Sequence, residues 1–169
     1  MQIEPAESAA LASAVAREWG GEGATSSVTV VVCPSHHAVA GVAEALKGTP
    51  VELGAQDAFW EDKGAFTGEV SPKSLAALGC RYCIVGHSER RLHLSETDAM
   101  VRRKIEAVMR HGMNPVVCVG ETDEEKRSGK AAAVVIGQLR SALAEIRPVG
   151  NQRILVAYEP RWAIGTGRP

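Results

Sequence analysis

Short, continuous apolar runs rich in β-branched residues recur along this chain, and helical spacing follows each one. The runs are Val28 to Cys33, Val51 to Ala55, Tyr82 to Gly86, Pro115 to Val119 and Ile154 to Tyr158. None alternates polar with apolar residues, so each reads as a strand covered on both faces. The helical stretch Pro5 to Trp19 places Leu11, Val15 and Trp19 on one face and ends at Gly20-Gly21. Residues His36 to Lys47 carry Val39, Val42, Ala43 and Leu46 at helical spacing. Ser71 caps a short helix with Pro72 at its first position. Ser95 to His111 turns Val101, Ile105, Val108 and Met109 inward and stops at Gly112; Thr122 to Ile146 is helical with a break at Gly129. Five strands alternating with five helices predict an α/β chain with a parallel sheet. Two architectures fit, an open doubly wound sheet or a section of a (β/α)₈ barrel. No linker or low-complexity stretch divides the chain, so residues 1–169 read as a single domain.

Composition narrows the function classes. A chain of 169 residues can bury a real core, and its net charge of -1 offers nothing to nucleic acid or an anionic membrane. No apolar run approaches the roughly 20 residues of a membrane helix, and the first residues lack a signal pattern, so a cytoplasmic location is expected. The spacing Cys80-x-x-Cys83 with His87 raises a zinc or redox site. Strand parity turns residues three apart to opposite faces, and no second cysteine pair follows. Cys33, Cys83 and Cys118 therefore read as small buried hydrophobes in strands, and neither metal nor disulfide is expected.

Potential chemistry collects directly after the strands. His87-Ser88-Glu89-Arg90-Arg91 follows the third run, Gly120-Glu121 the fourth and Glu159 the fifth. Parallel α/β folds bind ligands at the carboxyl ends of their strands, so an imidazole and a carboxylate from two strands face one substrate there. On its own, His87 reads equally as a group that acts on substrate or as a capping or core histidine. Glu159 reads as a general base or as a loop carboxylate paired with arginine. Glu89, Arg90 and Arg91 read as a structural ion-pair network, and Glu121 as a supporting carboxylate or a helix-start residue. Gly165-Thr166-Gly167 offers backbone N–H groups to a phosphate, although a lone Gly-x-Gly is a weak signal.

Longer motifs carry a resemblance. Val85-Gly86-His87-Ser88-Glu89-Arg90-Arg91, Val117-Cys118-Val119-Gly120-Glu121 and Ala157-Tyr158-Glu159-Pro160-x-Trp162-Ala163-Ile164-Gly165-Thr166-Gly167 resemble the triosephosphate isomerase family. So does Gly54-Ala55-Gln56, followed by Gly64-Ala65-Phe66-Thr67-Gly68-Glu69. The resemblance implies a (β/α)₈ barrel, here an incomplete one of about five βα units, strands two to six. It implies isomerisation of dihydroxyacetone phosphate and glyceraldehyde 3-phosphate without metal or cofactor. By motif position, Glu159 is the base, His87 polarises the carbonyl, and Gly165 gives a backbone N–H to the phosphate. Pro160 to Gly167 forms a lid over the substrate. The long loop Gln56–Val70, with Thr67, implies a homodimer in which it enters the neighbouring subunit.

The chain also departs from the family pattern. Asp57 stands where Asn is usual, and Arg161 where an apolar hinge residue is common. The family's catalytic lysine lies on a strand before those matched here, and its phosphate loops follow strands seven and eight. The isolated 169 residues are accordingly expected to be inactive, and unstable or self-associating through open sheet edges. The alternative is a non-catalytic half-barrel that serves as a binding or interaction module.

Overall fold

The computed structural model describes residues 3–20 and 27–163. Within them the chain runs α1 (Pro5–Trp19), β1 (Val31–Val32), α2 (Val39–Ala45), β2 (Glu52–Ala55), α3 (Pro72–Ala77) and β3 (Tyr82–Val85). It continues through α4 (Ser88–His93), α5 (Asp98–Arg110), β4 (Asn114–Val119), α6 (Asp123–Arg127), α7 (Ala131–Ala142) and β5 (Leu155–Tyr158). All neighbouring strands pair in parallel, in the order β1-β2-β3-β4-β5. A doubly wound sheet reverses its strand order at a switch point. This sheet never reverses, which selects the barrel section.

The strand runs form because one face packs beneath the helices. Cys83, Val85, Val117 and Val119 alternate onto that face and join Val101, Ile105 and Val108 of α5 in one core. The opposite face is mixed: Tyr82, Ile84 and Val116 are half-buried, while Gly54 and Cys118 are buried. Burial on both faces therefore holds only in part. β1 is two residues long rather than the six of its apolar run. β5 departs furthest from a buried strand: Val156 is 50% and Tyr158 57% exposed. It has one sheet partner, β4, and lies at the edge.

Helix boundaries follow local chemistry. Ser71 accepts the Ser74 N–H and Pro72 opens α3. Thr97, not Ser95, caps α5, because its side chain accepts the Met100 N–H while Ser95 takes φ 54°. The stretch after Gly120 divides as expected, with Gly129 at φ 71° between α6 and α7. That second helix ends at Ala142, so Leu143 and Ile146 reach the core from beyond it. In α1 the inward face is Ser8, Ala12 and Ala16, while Leu11 is 53% exposed and points away. Gly20 closes this helix; Gly21 lies outside the described residues. α4 breaks the strict alternation of one helix per strand, since α5 also follows β3.

Candidate active site

Three strand ends assemble the site. β3 delivers His87, β4 delivers Gly120 and Glu121, and β5 delivers Glu159. The His87 Nε2 lies 3.4 Å from Glu159 Oε1. The two residues expected to share one substrate are thus brought together.

His87 is both a cap and a candidate site residue. It is the N-cap of α4, where its Nδ1 accepts the Glu89 backbone N–H at 3.3 Å. A ring nitrogen that accepts is unprotonated, so in the neutral ring the proton sits on Nε2, facing Glu159. The cap, which a lone histidine leaves ambiguous in sequence, is what fixes the tautomer. Its carbonyl accepts the N–H groups of Arg90 and Arg91, which seats the residue in the first turn.

Glu159 is half-buried and held by two donors. The Ser88 backbone N–H reaches Oε2 at 3.3 Å, and the Cys118 Sγ–H reaches Oε1 at 3.2 Å, beside the His87 Nε2. Burial, then the nearby Glu159 charge, pushes the Cys118 thiol well above its ordinary range. It therefore remains a donor. The backbone of Glu159 is set by its own N–H to Val119 O at 2.7 Å. Gly86, Ser88, Arg91, Cys118, Val119, Gly120, Glu159 and Arg161 line a narrow cleft around the carboxylate.

Glu121 is the supporting carboxylate and not the start of a helix, which Thr122 caps. It is buried and accepts from Tyr158 Oη at 3.0 Å and from Trp162 Nε1 at 2.8 Å. Its own carbonyl accepts the Arg161 N–H at 3.0 Å. Burial raises its pKa, but the hydrogen bonds from Trp162 and Tyr158 outweigh this and leave it below the usual range. The Lys126 ammonium stands 3.0 Å from the centre of the Trp162 ring. The first half of the expected lid is thereby fastened to the end of β4. Gly165 and the Ile164–Gly167 half of the lid lie outside the described residues.

Arg90 and Arg91 are structural, as expected. Arg91 binds Asp98 at 2.6 Å and Gly86 O at 2.8 Å; Arg90 binds Glu96 at 2.8 Å and Asp57 at 2.9 Å. Glu89 does not join them, because its side chain is exposed and stands 3.7 Å from His87 Nδ1. Sequence reading missed Ser88 and Cys118 as partners of the carboxylate. It also missed Lys104, 1% exposed, which bonds both Asp57 and Glu96. Position offers one signal for Lys104: it falls on the inward stripe of α5, three residues after Val101. Cys80 and Cys83 are both buried in the core, with Cys80 pushed by burial up to about 11.

Together the fold and site define a chain of the (β/α) barrel class with its ligand face at the carboxyl ends of the strands. The sequence model of the triosephosphate isomerase family matches residues 1–169. The triosephosphate isomerase of Chloroflexus aurantiacus is 48% identical over 87% of this chain and 59% of its own length. That of Herpetosiphon aurantiacus is 50% identical over 82% of this chain and 55% of its own. The crystal structure of triosephosphate isomerase from Bartonella henselae superposes with a TM-score of 0.86 at 32% identity. It covers 96% of this chain and 65% of that one. The chain belongs to the triosephosphate isomerase family and spans somewhat over half the length of the curated relatives it matches.

Proposed function

We propose that this chain supplies the base and the electrophile of a triosephosphate isomerase acting on dihydroxyacetone phosphate and glyceraldehyde 3-phosphate. The observation that carries this reading is the 3.4 Å approach of Glu159 to a His87 Nε2 whose proton is assigned by the Glu89 hydrogen bond. Glu159 takes a proton from the carbon beside the carbonyl. The Nε2–H of His87 faces the carbonyl oxygen, where negative charge develops, and stabilises the enediolate. His87 carries a proton from one enediolate oxygen to the other, and return of the first proton to the adjacent carbon completes the isomerisation, with no net gain or loss of atoms or electrons. This family is itself the standard illustration of a carboxylate base working beside a neutral imidazole. Gly165 gives a backbone N–H to the phosphate, and closure of Pro160 to Gly167 keeps water from the enediolate. Proton transfer of this kind uses side chains alone and places the protein in glycolysis and gluconeogenesis.

The same reading treats residues 1–169 as part of one barrel domain acting as a cytoplasmic homodimer. Residues 63–69 of the Gln56–Val70 loop, Thr67 and Phe66 among them, are exposed, which supports their entry into a neighbouring subunit. The unbridged thiols Cys33, Cys80, Cys83 and Cys118 support a reducing compartment. Among the described residues, no helix is long and apolar enough to cross a membrane.

The test is isomerase turnover in both directions, with Glu159→Ala beside the unaltered protein as the cell produces it. The variant should lose at least about 10²–10⁴-fold in rate while keeping its circular dichroism. Near-normal turnover in the variant rules Glu159 out as the base.

A further inference from the structure

We propose that Gln138 is a positioning residue for Glu159, acting through the peptide that joins Val119 to Gly120. Its bearing on the isomerase reaction rests on the function proposed above; its contacts do not.

Gly120 is buried just past the end of β4, where the sheet offers it no partner on one side. Along a parallel strand, successive residues turn their N–H and C=O groups to opposite edges. Val119 O and Glu121 O face β5, and they accept from the Glu159 and Arg161 N–H groups. Gly120 between them therefore faces the β3 edge. The ladder of β3 on β4 ends at Val85 opposite Val117, and the β3 chain then turns away at Gly86, with φ 73°. A buried N–H and C=O at that place need partners from elsewhere.

Gln138 supplies both. It is half-buried on α7, three residues after Val135, which packs on the core. Its Oε1 accepts the Gly120 N–H at 2.9 Å, and its Nε2 donates to Gly120 O at 3.1 Å. A backbone N–H only donates and a C=O only accepts, so one orientation of the amide pairs both. The side chain thus stands in for the missing strand residue. A carboxylate lacks the donor for this role and an ammonium lacks the acceptor.

One rigid plane links Gln138 to Glu159. The Gly120 N–H and the Val119 C=O are opposite ends of the same planar peptide. At one end it donates to Gln138; at the other it accepts the Glu159 N–H at 2.7 Å. A tilt at the first end swings the acceptor at the second, and each bond polarises the other. Glu159 O also packs over Gly120, so closely that a Cβ there would stand 1.9 Å from it. Gly120 thus sits between the two carbonyls that hold Glu159 and Arg161, and Gln138 grips it by both polar groups. In this way α7 sets where the Glu159 carboxylate meets His87.

The test compares the protein as the cell produces it with two variants, by NMR of the Glu159 backbone amide and by isomerase kinetics. Gln138→Met keeps the reach of the side chain and removes both hydrogen bonds. Val135→Ala thins the packing of the same helix and leaves the amide in place. In Gln138→Met the Glu159 amide proton should move upfield and exchange roughly tenfold faster. Its kcat should fall roughly tenfold, with KM changed by less than about threefold. Val135→Ala should lower Tm and leave both the Glu159 amide and kcat as they were. If the methionine variant does not fold, Gln138→Ala carries the same expectations, since it lets water reach the two groups of Gly120. An unchanged Glu159 amide in the Gln138 variant overturns the proposal, as does a rise in KM at constant kcat. So do the same amide and kcat changes in Val135→Ala, or unfolding of both Gln138 variants, because the residue would then hold the fold and not the site. Absence of turnover in every protein, the unaltered one included, with the amide changes present, would sink the isomerase reading alone.

Discussion

A methyl group at Gly120 should disable the site from a position that carries no chemistry. A Cβ built there would stand 1.9 Å from Glu159 O, 2.5 Å from its carbonyl carbon and 3.1 Å from Pro160 N. All three are backbone atoms, so no rotamer change relieves the clash. Reaching a separation of 3.0 Å takes about 1 Å of backbone displacement between the ends of β4 and β5. The Glu159 N–H bond to Val119 O, now 2.7 Å, would stretch beyond hydrogen-bond range. Glu159 would withdraw from His87 by a similar amount. Misplacement of a reacting group by about 1 Å costs on the order of 10²-fold in rate. Overpacking of this kind costs about 1–3 kcal/mol, several degrees of Tm in a chain of this size. The assay is kcat and Tm of Gly120→Ala against the unaltered protein. A variant within about twofold in kcat, with its fold intact, would refute the claim that the spacing of these two strand ends positions the proposed base, Glu159.

Other consequences are open to equally direct measurement. Lys104→Met leaves two buried carboxylates to share Arg90 and should cost about 3–5 kcal/mol in urea unfolding; an unchanged midpoint would show that the network is dispensable. Glu121→Ala removes the acceptor of Tyr158 Oη and Trp162 Nε1, at about 1–3 kcal/mol. With Trp19 and Trp60 replaced by Phe, its Trp162 emission should shift to the red, and unaltered emission would mean that Glu121 does not anchor the lid. Glu96 has a folded pKa below its ordinary 4.5, so its stabilisation is present above the carboxylate range and is lost as pH falls through the lowered value. Tm measured from about pH 6 to about pH 3 should therefore fall less steeply in Glu96→Gln than in the unaltered protein, and parallel curves would contradict this.

The sheet was legible because burial leaves a mark on each strand by itself. Tyr82 to Gly86 and Pro115 to Val119 show it in sequence and pair in the core of the fold. The ends of the sheet were less legible, because Leu155, Val156 and Tyr158 are as apolar as any inner strand yet lie exposed at an edge. Apolarity reports what a residue is suited to, not what covers it in the fold. α4 was missed because Ser88-Glu89-Arg90-Arg91 has no apolar period; it forms through the His87 cap and its arginine tethers. Leu11 was placed inward by its hydrophobicity, but close packing on α2 gave that face to Ala12 and Ala16. Glu159 and His87 were legible through motif and strand-end position. Their partners Cys118 and Ser88, and the cluster of Asp57, Glu96 and Lys104, lie 47 or more residues apart or on separate elements, and spacing along one sequence carries no trace of such pairings.

The unbroken strand order has a kinetic consequence. Each strand pairs with the one made just before or after it, so most of the sheet can grow by successive local additions as the chain collapses. The contact between Ser88 and Glu159 spans 71 residues, and β4 stands between their strands. It forms only when β5 has docked, after the rest of the described sheet has a surface to receive it. Quenching or chemical-shift signals at His87 would therefore time the docking of β5, and a slow-docking β5 would leave the other four described strands paired without Glu159 beside His87.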